Sequence, residues 1–228
     1  MQQYFVSQKL NVFDTIRLDE EVIHHLRKVL RKDSDYTFRI CDQDGIIFHA
    51  HLLNDDLCQI DEKLDENNEL HCDITCVMSL IKNEKFEMCI QKLVELGVKR
   101  IVPFEARRSV VKIKDQKKLI RLQKIAREAA EQSHRNMIPE ITSPCDLKGL
   151  SKYMSEDNYI CYESENNIAD VRPKGSLTYI IGPEGGFEKS EYEAICKLGF
   201  ESISLGKRIL RAETAALYMT SIIVGKCQ

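Results

Sequence analysis

Two stretches of this sequence combine residue types that could do chemistry. The first is Gly182-Pro183-Glu184-Gly185-Gly186-Phe187, which follows the apolar run Leu177 to Ile181. A strand that runs into a glycine-rich turn and then a helix places backbone N–H groups where a ligand can approach closely. The spacing is not Gly-x-Gly-x-x-Gly, Pro183 has no place in that fingerprint, and no Lys-Ser or Lys-Thr follows the glycines. Neither a dinucleotide-binding turn nor a phosphate-cradling loop is therefore indicated. By itself this turn says that a ligand sits at a strand end, or that its glycines serve the turn's geometry alone. The second stretch is Leu205-Gly206-Lys207-Arg208-Ile209-Leu210-Arg211-Ala212-Glu213-Thr214-Ala215-Ala216. A strand ending at Gly206 and a helix beginning near Glu213 put Arg211 and Glu213 at a helix start. Ala215 and Ala216 leave its first turn slim enough for close packing. An arginine there can polarise a carbonyl and a glutamate can accept a proton. The same two residues could also form an ordinary surface pair, and a glutamate in a first turn suits the helix dipole without any chemistry.

The elements that must position these stretches alternate. Cys72 to Leu80 reads as a buried strand, followed by a helix from Asn83 to Leu96 with Phe86, Cys89, Ile90, Leu93 and Val94 on one face and Gly97 at its C-terminal cap. A strand at Ile101 to Phe104 precedes a long helix from about Asp115 to His134, striped by Leu119, Leu122, Ala126 and Ala129. Lys117, Arg121, Lys124 and Glu128 fall on a separate face of that helix. Strands at Tyr159 to Tyr162, Leu177 to Ile181 and Ser202 to Leu205 alternate with helices near Glu188 to Leu198 and Glu213 to Gly225. This is the pattern of an α/β sheet with helices on both faces. Residues 1 to about 70 read mainly as strands. Tyr36 to Cys41 and Ile46 to Leu53 form a hairpin through Asp42-Gln43-Asp44-Gly45, and a short helix spans Glu20 to Arg31. A helix among strands suggests a small barrel, and the acidic stretch Asp61 to Glu69 reads as the linker between the two regions.

Composition bounds the function classes. The chain has 228 residues, 43% hydrophobic and 30% charged, with a net charge of −3. No apolar run approaches a membrane span, and Met1 to Leu10 lacks a basic region followed by an apolar stretch, so a cytoplasmic location is expected. The nine cysteines contain no Cys-x-x-Cys pair, and their odd number points to free thiols. His49 and His51 alternate near Cys41 and Cys58 but match no metal-ligand spacing, so no metal is expected. The small net charge hides a segregation. Asp42 to Asp73 holds ten acidic residues against one basic, whereas Lys99 to Arg135 holds twelve basic against four acidic. A chain so polarised can present a positive face to an anionic partner, although a basic helix face can also be merely solvated.

Upstream of the two loops stand His25-Leu26 with Val29-Leu30-Arg31, Lys85 with Glu87, Gln91-Lys92 and Glu95-Leu96-Gly97-Val98. Arg108-Ser109-Val110-Val111 and Glu128-Ala129-Ala130-Glu131-Gln132-Ser133 with Arg135 and Pro139 follow. Together with the loops, and over essentially the whole chain, these motifs resemble the RsmE family of SPOUT methyltransferases, which methylates N3 of a uridine in small-subunit (16S) ribosomal RNA. The resemblance implies an RNA-binding PUA-like β-barrel over residues 1–70. It also implies a SPOUT α/β domain over 71–228, with a deep trefoil knot, that binds the cofactor, catalyses and dimerises. The implied cofactor is S-adenosyl-L-methionine. Three loops would hold it: Cys161, Tyr162 and Glu163; Ile181, Gly182, Pro183, Glu184, Gly185 and Gly186; and Leu205, Gly206, Ile209 and Leu210, with Ala216 behind. Arg211 would orient or polarise the uracil, and Glu184 or Glu213 would accept its proton or fix that arginine. RNA phosphates would meet Arg107, Arg108, Lys112, Lys114, Arg121, Lys124 and Arg135, with Arg27, Lys28 and Arg31 adding a contact from the N-terminal region.

The implied partners are 16S ribosomal RNA in the assembled small subunit and a second copy of the chain. The apolar C-terminal helix (Ala216, Leu217, Met219, Ile222, Ile223) permits that pairing. Departures from the family pattern are Leu122 where an aromatic is common, Glu188 where Ser or Thr would cap a helix, and Ser34-Asp35 in place of Gly-Asp. None touches the loops. Action on another RNA base or on transfer RNA, and a non-catalytic RNA-binding module of the same fold, stay open as alternatives.

Overall fold

The computed structural model describes residues 1–113, 115–163 and 171–227. They gather into two compact units, one of Met1–Glu69 with Ala130–Met137 and the other of Leu70–Ala129 with the chain from Ile138 onward.

In the first unit the strands β1 (Gln3–Phe5), β2 (Thr15–Arg17), β3 (Thr37–Cys41), β4 (Ile47–Leu52) and β5 (Leu57–Leu64) form one sheet in the order β1-β3-β4-β5-β2. β1 and β3 are parallel and the remaining pairs antiparallel. The buried set Phe38, Ile40, Phe48, Ala50, Leu52, Cys58 and Ile60 packs against Tyr4 and Leu26. The hairpin turn forms as its residues predict. Asp42 Oδ1 accepts from the backbone N–H groups of Asp44 and Ile46 at 2.9 Å each, and Gly45 takes φ +77°. The expected linker is partly strand, because Asp61 to Leu64 belongs to β5. The alternation there runs Cys58 in, Gln59 out, Ile60 in, and the charged residues that follow continue the ladder with β4. His49 and His51 each meet a β5 carboxylate at 2.7 Å, Glu62 and Asp61 respectively.

The short helix also differs from expectation. α1 (Glu20–His24) gives way to a π-helical turn over His25–Val29, closed by Leu30 N–H donating to the His25 carbonyl. Arg27 is drawn inward, donating to the carbonyls of Leu53 at 2.7 Å and Lys32 at 3.1 Å, and the chain turns out at Arg31 with φ +52°. The end of the long basic helix belongs to this unit. Gln3 donates to the Arg135 carbonyl at 2.7 Å, and Arg135, 3% exposed, pairs with Glu69. Asn136 holds the Gly45 and Glu66 carbonyls through its amide.

The second unit is a six-stranded, wholly parallel sheet in the order β11-β9-β10-β6-β7-β8. Its strands are β6 (Asp73–Ser79), β7 (Arg100–Phe104), β8 (Glu140–Ile141), β9 (Asp157–Cys161), β10 (Ser176–Ile181) and β11 (Glu201–Ile203). The helices are α2 (Asn83–Glu95), α3 (Gln116–Gln132, whose last turn groups with the first unit), α4 (Lys189–Lys197) and α5 (Ala212–Cys227). β6 and β10 lie at the centre and are almost wholly buried, as a parallel sheet covered on both faces requires. No described helix is long and apolar enough to cross a membrane.

One expectation about the thiols is corrected. Cys72 and Cys227 form a disulfide that ties the residue before β6 to the last turn of α5. A separation of 155 residues leaves no trace in local spacing. The remaining cysteines are free; burial pushes the Cys76 and Cys89 thiols up to about 12, so they stay protonated as small core residues.

Arg135→Met removes one partner of a pair that is largely buried and leaves the Glu69 carboxylate without its guanidinium, held by the Asn136 backbone N–H at 2.9 Å. The expected destabilisation is about 3 kcal/mol, read as a lower urea midpoint of the full chain. A loss under about 0.5 kcal/mol would mean that solvent already screens the pair.

Candidate functional site

Parallel strands carry their C-terminal ends to one edge, and the loops leaving β9, β10 and β11 meet there. β10 ends at Ile181 and the chain turns through Gly182 to Gly186, with Gly186 at φ +66° and its N–H donating to the Pro183 carbonyl at 2.9 Å. A side chain on Gly182 would run into the buried ring of Phe187 at 2.8 Å, and one on Gly186 would meet the Glu163 carboxylate at 2.7 Å. Gly182 answers to packing against that ring, and Gly186 to its positive φ. After β11, Gly206 takes φ +105° with open space where a side chain would stand.

Between the three loops lies a cavity of about 220 Å³ lined by Cys161, Tyr162, Glu163, Ile181, Gly182, Pro183, Glu184 and Gly186 on one side. Ser204, Leu205, Gly206, Arg208, Ile209, Leu210, Arg211, Ala212 and Ala215 complete the wall. Tyr162 stacks on Tyr192 of α4 with ring centroids 4.0 Å apart, which stiffens that side. Ile209 lies 88% exposed at the rim. Of the residues expected here, Gly185 and Ala216 do not line the cavity. Gly185 turns its carbonyl to Arg108 Nη1 at 2.9 Å, and Ala216 packs fully buried one turn into α5, leaving Ala212 and Ala215 to face the space.

The three residues with expected chemistry separate. Arg211 and Glu184 border the cavity. Glu213 is not part of its wall; it is buried in the first turn of α5 against α2. Lys85, from the first turn of α2, stands between the two carboxylates, 3.1 Å from Glu184 and 3.0 Å from Glu213. Burial pushes the Glu213 carboxyl up, but its own backbone N–H, the Lys85 ammonium and the Arg211 charge outweigh this and hold it below the usual carboxylate range. Hydrogen bonds to Glu213 and Glu184 raise the Lys85 ammonium, which stays charged. Sequence reasoning placed Lys85 only in a family motif. The available signal was a lysine in a helix's first turn, where the dipole disfavours a cation unless a carboxylate answers it.

The basic residues divide as well. Lys112, Arg107, Arg108, Arg121 and Lys124 are exposed, as are Lys28 and Arg31 in the first unit. Arg121 is paired with Glu87 at 2.8 Å, and Arg107 with Glu188 at 3.1 Å. Arg27 and Arg135 spend their guanidinium groups on the interior of the first unit and do not present them outward. Lys114 lies outside the described residues.

A parallel sheet with a cavity built from three neighbouring strand-end loops, whose glycine turn is bonded to the exposed Arg108 of a basic loop, defines a class. Residues 68–224 match the RNA methyltransferase domain. More narrowly, this chain belongs to the family of the ribosomal RNA small subunit methyltransferases E. The enzyme of that name from Bacillus subtilis (strain 168) is 35% identical, over 98% of this chain and 96% of its own. The one from Mesomycoplasma hyopneumoniae (strain 232) is 36% identical over 96% and 97%. Among solved structures, that of the ribosomal RNA small subunit methyltransferase E of Neisseria gonorrhoeae, bound to S-adenosyl methionine, superposes with a TM-score of 0.90 at 30% identity, covering 97% of this chain and 95% of its own. A Legionella pneumophila methyltransferase in complex with the same cofactor gives 0.89 at 30% identity, over 96% and 95%.

Gly182→Ala would press a methyl group into the Phe187 ring. The expected overpacking penalty is about 1–3 kcal/mol, seen as a lower thermal midpoint. An unchanged midpoint would show that the ring can move aside freely.

Proposed function

We propose that this protein transfers a methyl group from S-adenosyl-L-methionine to N3 of a uridine in small-subunit (16S) ribosomal RNA. The observation that carries the reading is the cavity, with Arg211 and Glu184 on its wall beside the glycine turn. Its residues suit the cofactor. Ile181, Leu205, Leu210 and Ala215 offer apolar surface, and the open space at Gly206 allows close approach of backbone. Glu163 and Glu184 bring carboxylates toward a cationic ligand. When bound, the cofactor supplies a methyl group on a positively charged sulfur.

What remains for the protein is positioning and charge. N3 of uracil carries a proton between two carbonyls, and negative charge develops on those oxygens as the proton leaves. Arg211, at the wall and exposed, is the group to orient the base and stabilise that charge. Glu184, which borders the cavity, is better placed than Glu213 to accept the proton. Glu213 acts from behind, as a fixed anion beside Arg211.

RNA would be held largely by its phosphates, along Arg107, Arg108, Lys112, Arg121 and Lys124 and by Lys28 and Arg31 of the N-terminal region. We read residues 1–70 as a PUA-like RNA-binding barrel, which the five-stranded mixed sheet supports. We read 71–228 as a knotted SPOUT domain; β10 entering between β9 and β6 in a parallel sheet accords with that. The homodimer is supported by α5, whose Leu217, Ile222 and Val224 stay partly exposed and whose Tyr218 is 49% exposed. A helix apolar on every side belongs under cover. A cytoplasmic location and action on the assembled small subunit complete the reading.

Arg211→Ala should bind S-adenosyl-L-methionine with near-normal affinity by calorimetry, yet lose roughly 100-fold or more in turnover on purified small subunits. Turnover near that of the unaltered protein would remove Arg211 from the chemistry. Reversing charge at Lys28 and Arg31 together should weaken binding to the subunit and leave cofactor affinity alone; unchanged subunit affinity would take the N-terminal region out of RNA contact. Cells lacking the protein should lack 3-methyluridine in 16S ribosomal RNA by mass spectrometry and regain it on complementation. Its persistence would overturn the substrate.

A further inference from the structure

We infer that Lys85 is a positioning residue for the methyl-transfer site, clamping Glu184 of the glycine turn and Glu213 of α5 into one ion network that sets the cavity's wall. The inference rests on the proposed methyltransferase reading and adds a residue to it.

Three elements that are distant in sequence converge on this ammonium: the start of α2, the turn after β10 and the start of α5. Both α2 and α5 begin at the edge where the parallel strands end, so two helix N-termini with partial positive charge face the same small volume. A lysine in the first turn of α2 adds to that charge and would be disfavoured alone. Two carboxylates within 3.1 Å answer it. Glu213 is only 9% exposed, and its Oε1 is taken up by Lys85 while its Oε2 has no hydrogen-bond partner. A buried carboxylate half satisfied in this way takes its position from the ammonium at its one engaged oxygen, while its own backbone N–H and the Arg211 charge help to keep it ionised. Arg211 lies two residues before Glu213 in the chain and feels its charge.

Glu184 shows the other half of the arrangement. It lines the cavity and is partly exposed, its side chain 44% accessible, in a turn whose neighbours Gly185 and Gly186 give it little stiffness of their own. Lys85 is the cation that the structure gives it. The clamp therefore fixes the direction of the carboxylate offered to substrate. It also ties that direction to the start of α5, directly after Arg211. Lys85 itself is not in the cavity wall, so its action passes through Glu184 and Glu213.

The test uses full-length protein, S-adenosyl-L-methionine and purified small subunits. Lys85→Ala should lower kcat roughly 10- to 100-fold, with the cofactor dissociation constant and the KM for subunits changed less than about threefold. Lys85→Arg, which keeps the cation, should recover most of the loss. The double variant Lys85→Ala with Glu213→Gln should lose no more than the worse single variant, as members of one network do. A normal kcat in Lys85→Ala overturns the inference. So does an equal loss in Lys85→Arg and Lys85→Ala, or losses that multiply in the double variant. Should Lys85→Ala fold poorly, Lys85→Gln with the same kinetic split decides. If the unaltered protein binds no cofactor and makes no 3-methyluridine, the functional reading falls and the inference with it. An active unaltered protein with active Lys85 variants refutes the inference alone.

Discussion

The placement of Arg211 and Glu213 relative to the glycine turn depends on a buried contact between β10 and α5. The Tyr179 hydroxyl lies 2.6 Å from the Thr220 hydroxyl in a fully buried setting. Thr220 has one proton, which it gives to the Ala216 carbonyl at 2.8 Å, so Tyr179 is the donor between the two hydroxyls. Burial pushes the Tyr179 phenol well above its ordinary pKa, and it remains a donor. The contact sets the height of α5 against the central strand. One end of that strand opens into Gly182, and the helix begins directly after the arginine and carries the glutamate in its first turn. Had the pair been apolar, area burial alone would have favoured contact without choosing a register. Two hydroxyls and one carbonyl choose it.

Charge is organised around that frame by burial. At the surface, Arg121 with Glu87 and Arg107 with Glu188 are exposed pairs that solvent screens, and they add little stability. They keep long basic side chains in defined places on a surface that otherwise reads as positive. Deeper in, carboxylates meet backbone donors or ammonium groups. Glu191, 1% exposed, accepts from the Arg107 backbone N–H at 3.0 Å, and burial still raises its pKa. It fastens the basic loop that starts at Arg107 to the first turn of α4. The net charge of −3 therefore coexists with a local excess of positive charge over Lys99 to Arg135, because the acidic residues concentrate elsewhere in the chain, from Asp42 to Asp73.

Much of this was legible in the sequence, and the reasons for what was not are specific. Alternating strand and helix signals located α2, α4 and α5 within a residue or two of their ends, since those helices carry a full apolar face. Asp42 to Gly45 announced its turn because the aspartate and glycine each do something only they do well there. The charged end of β5 escaped, since Asp61, Glu62 and Lys63 carry no hydrophobic alternation and are held by pairing with β4. The π-helical turn escaped because helical spacing over Glu20 to Arg31 cannot say that Arg27 will be drawn to the Leu53 carbonyl. The cavity wall was recognisable through the two glycine-containing runs. The choice between Ala215 and Ala216, and the role of Lys85, needed the helix phase and the neighbouring helix, neither of which is local. The disulfide between Cys72 and Cys227 belongs to the same category.

The link between the basic surface and the cavity lies in one arginine. Arg108 gives a hydrogen bond to the Gly185 carbonyl and stands on the same exposed loop as Arg107 and Lys112. A guanidinium has five N–H donors in a planar fork, so this bond leaves most of its capacity for an anion outside. Any phosphate that draws on that fork pulls at the same time on the glycine turn. The turn is also held by Lys85 through Glu184. The turn is thus held by two cations, Arg108 at the Gly185 carbonyl and Lys85 at the Glu184 carboxylate, and its glycines let the backbone settle between them.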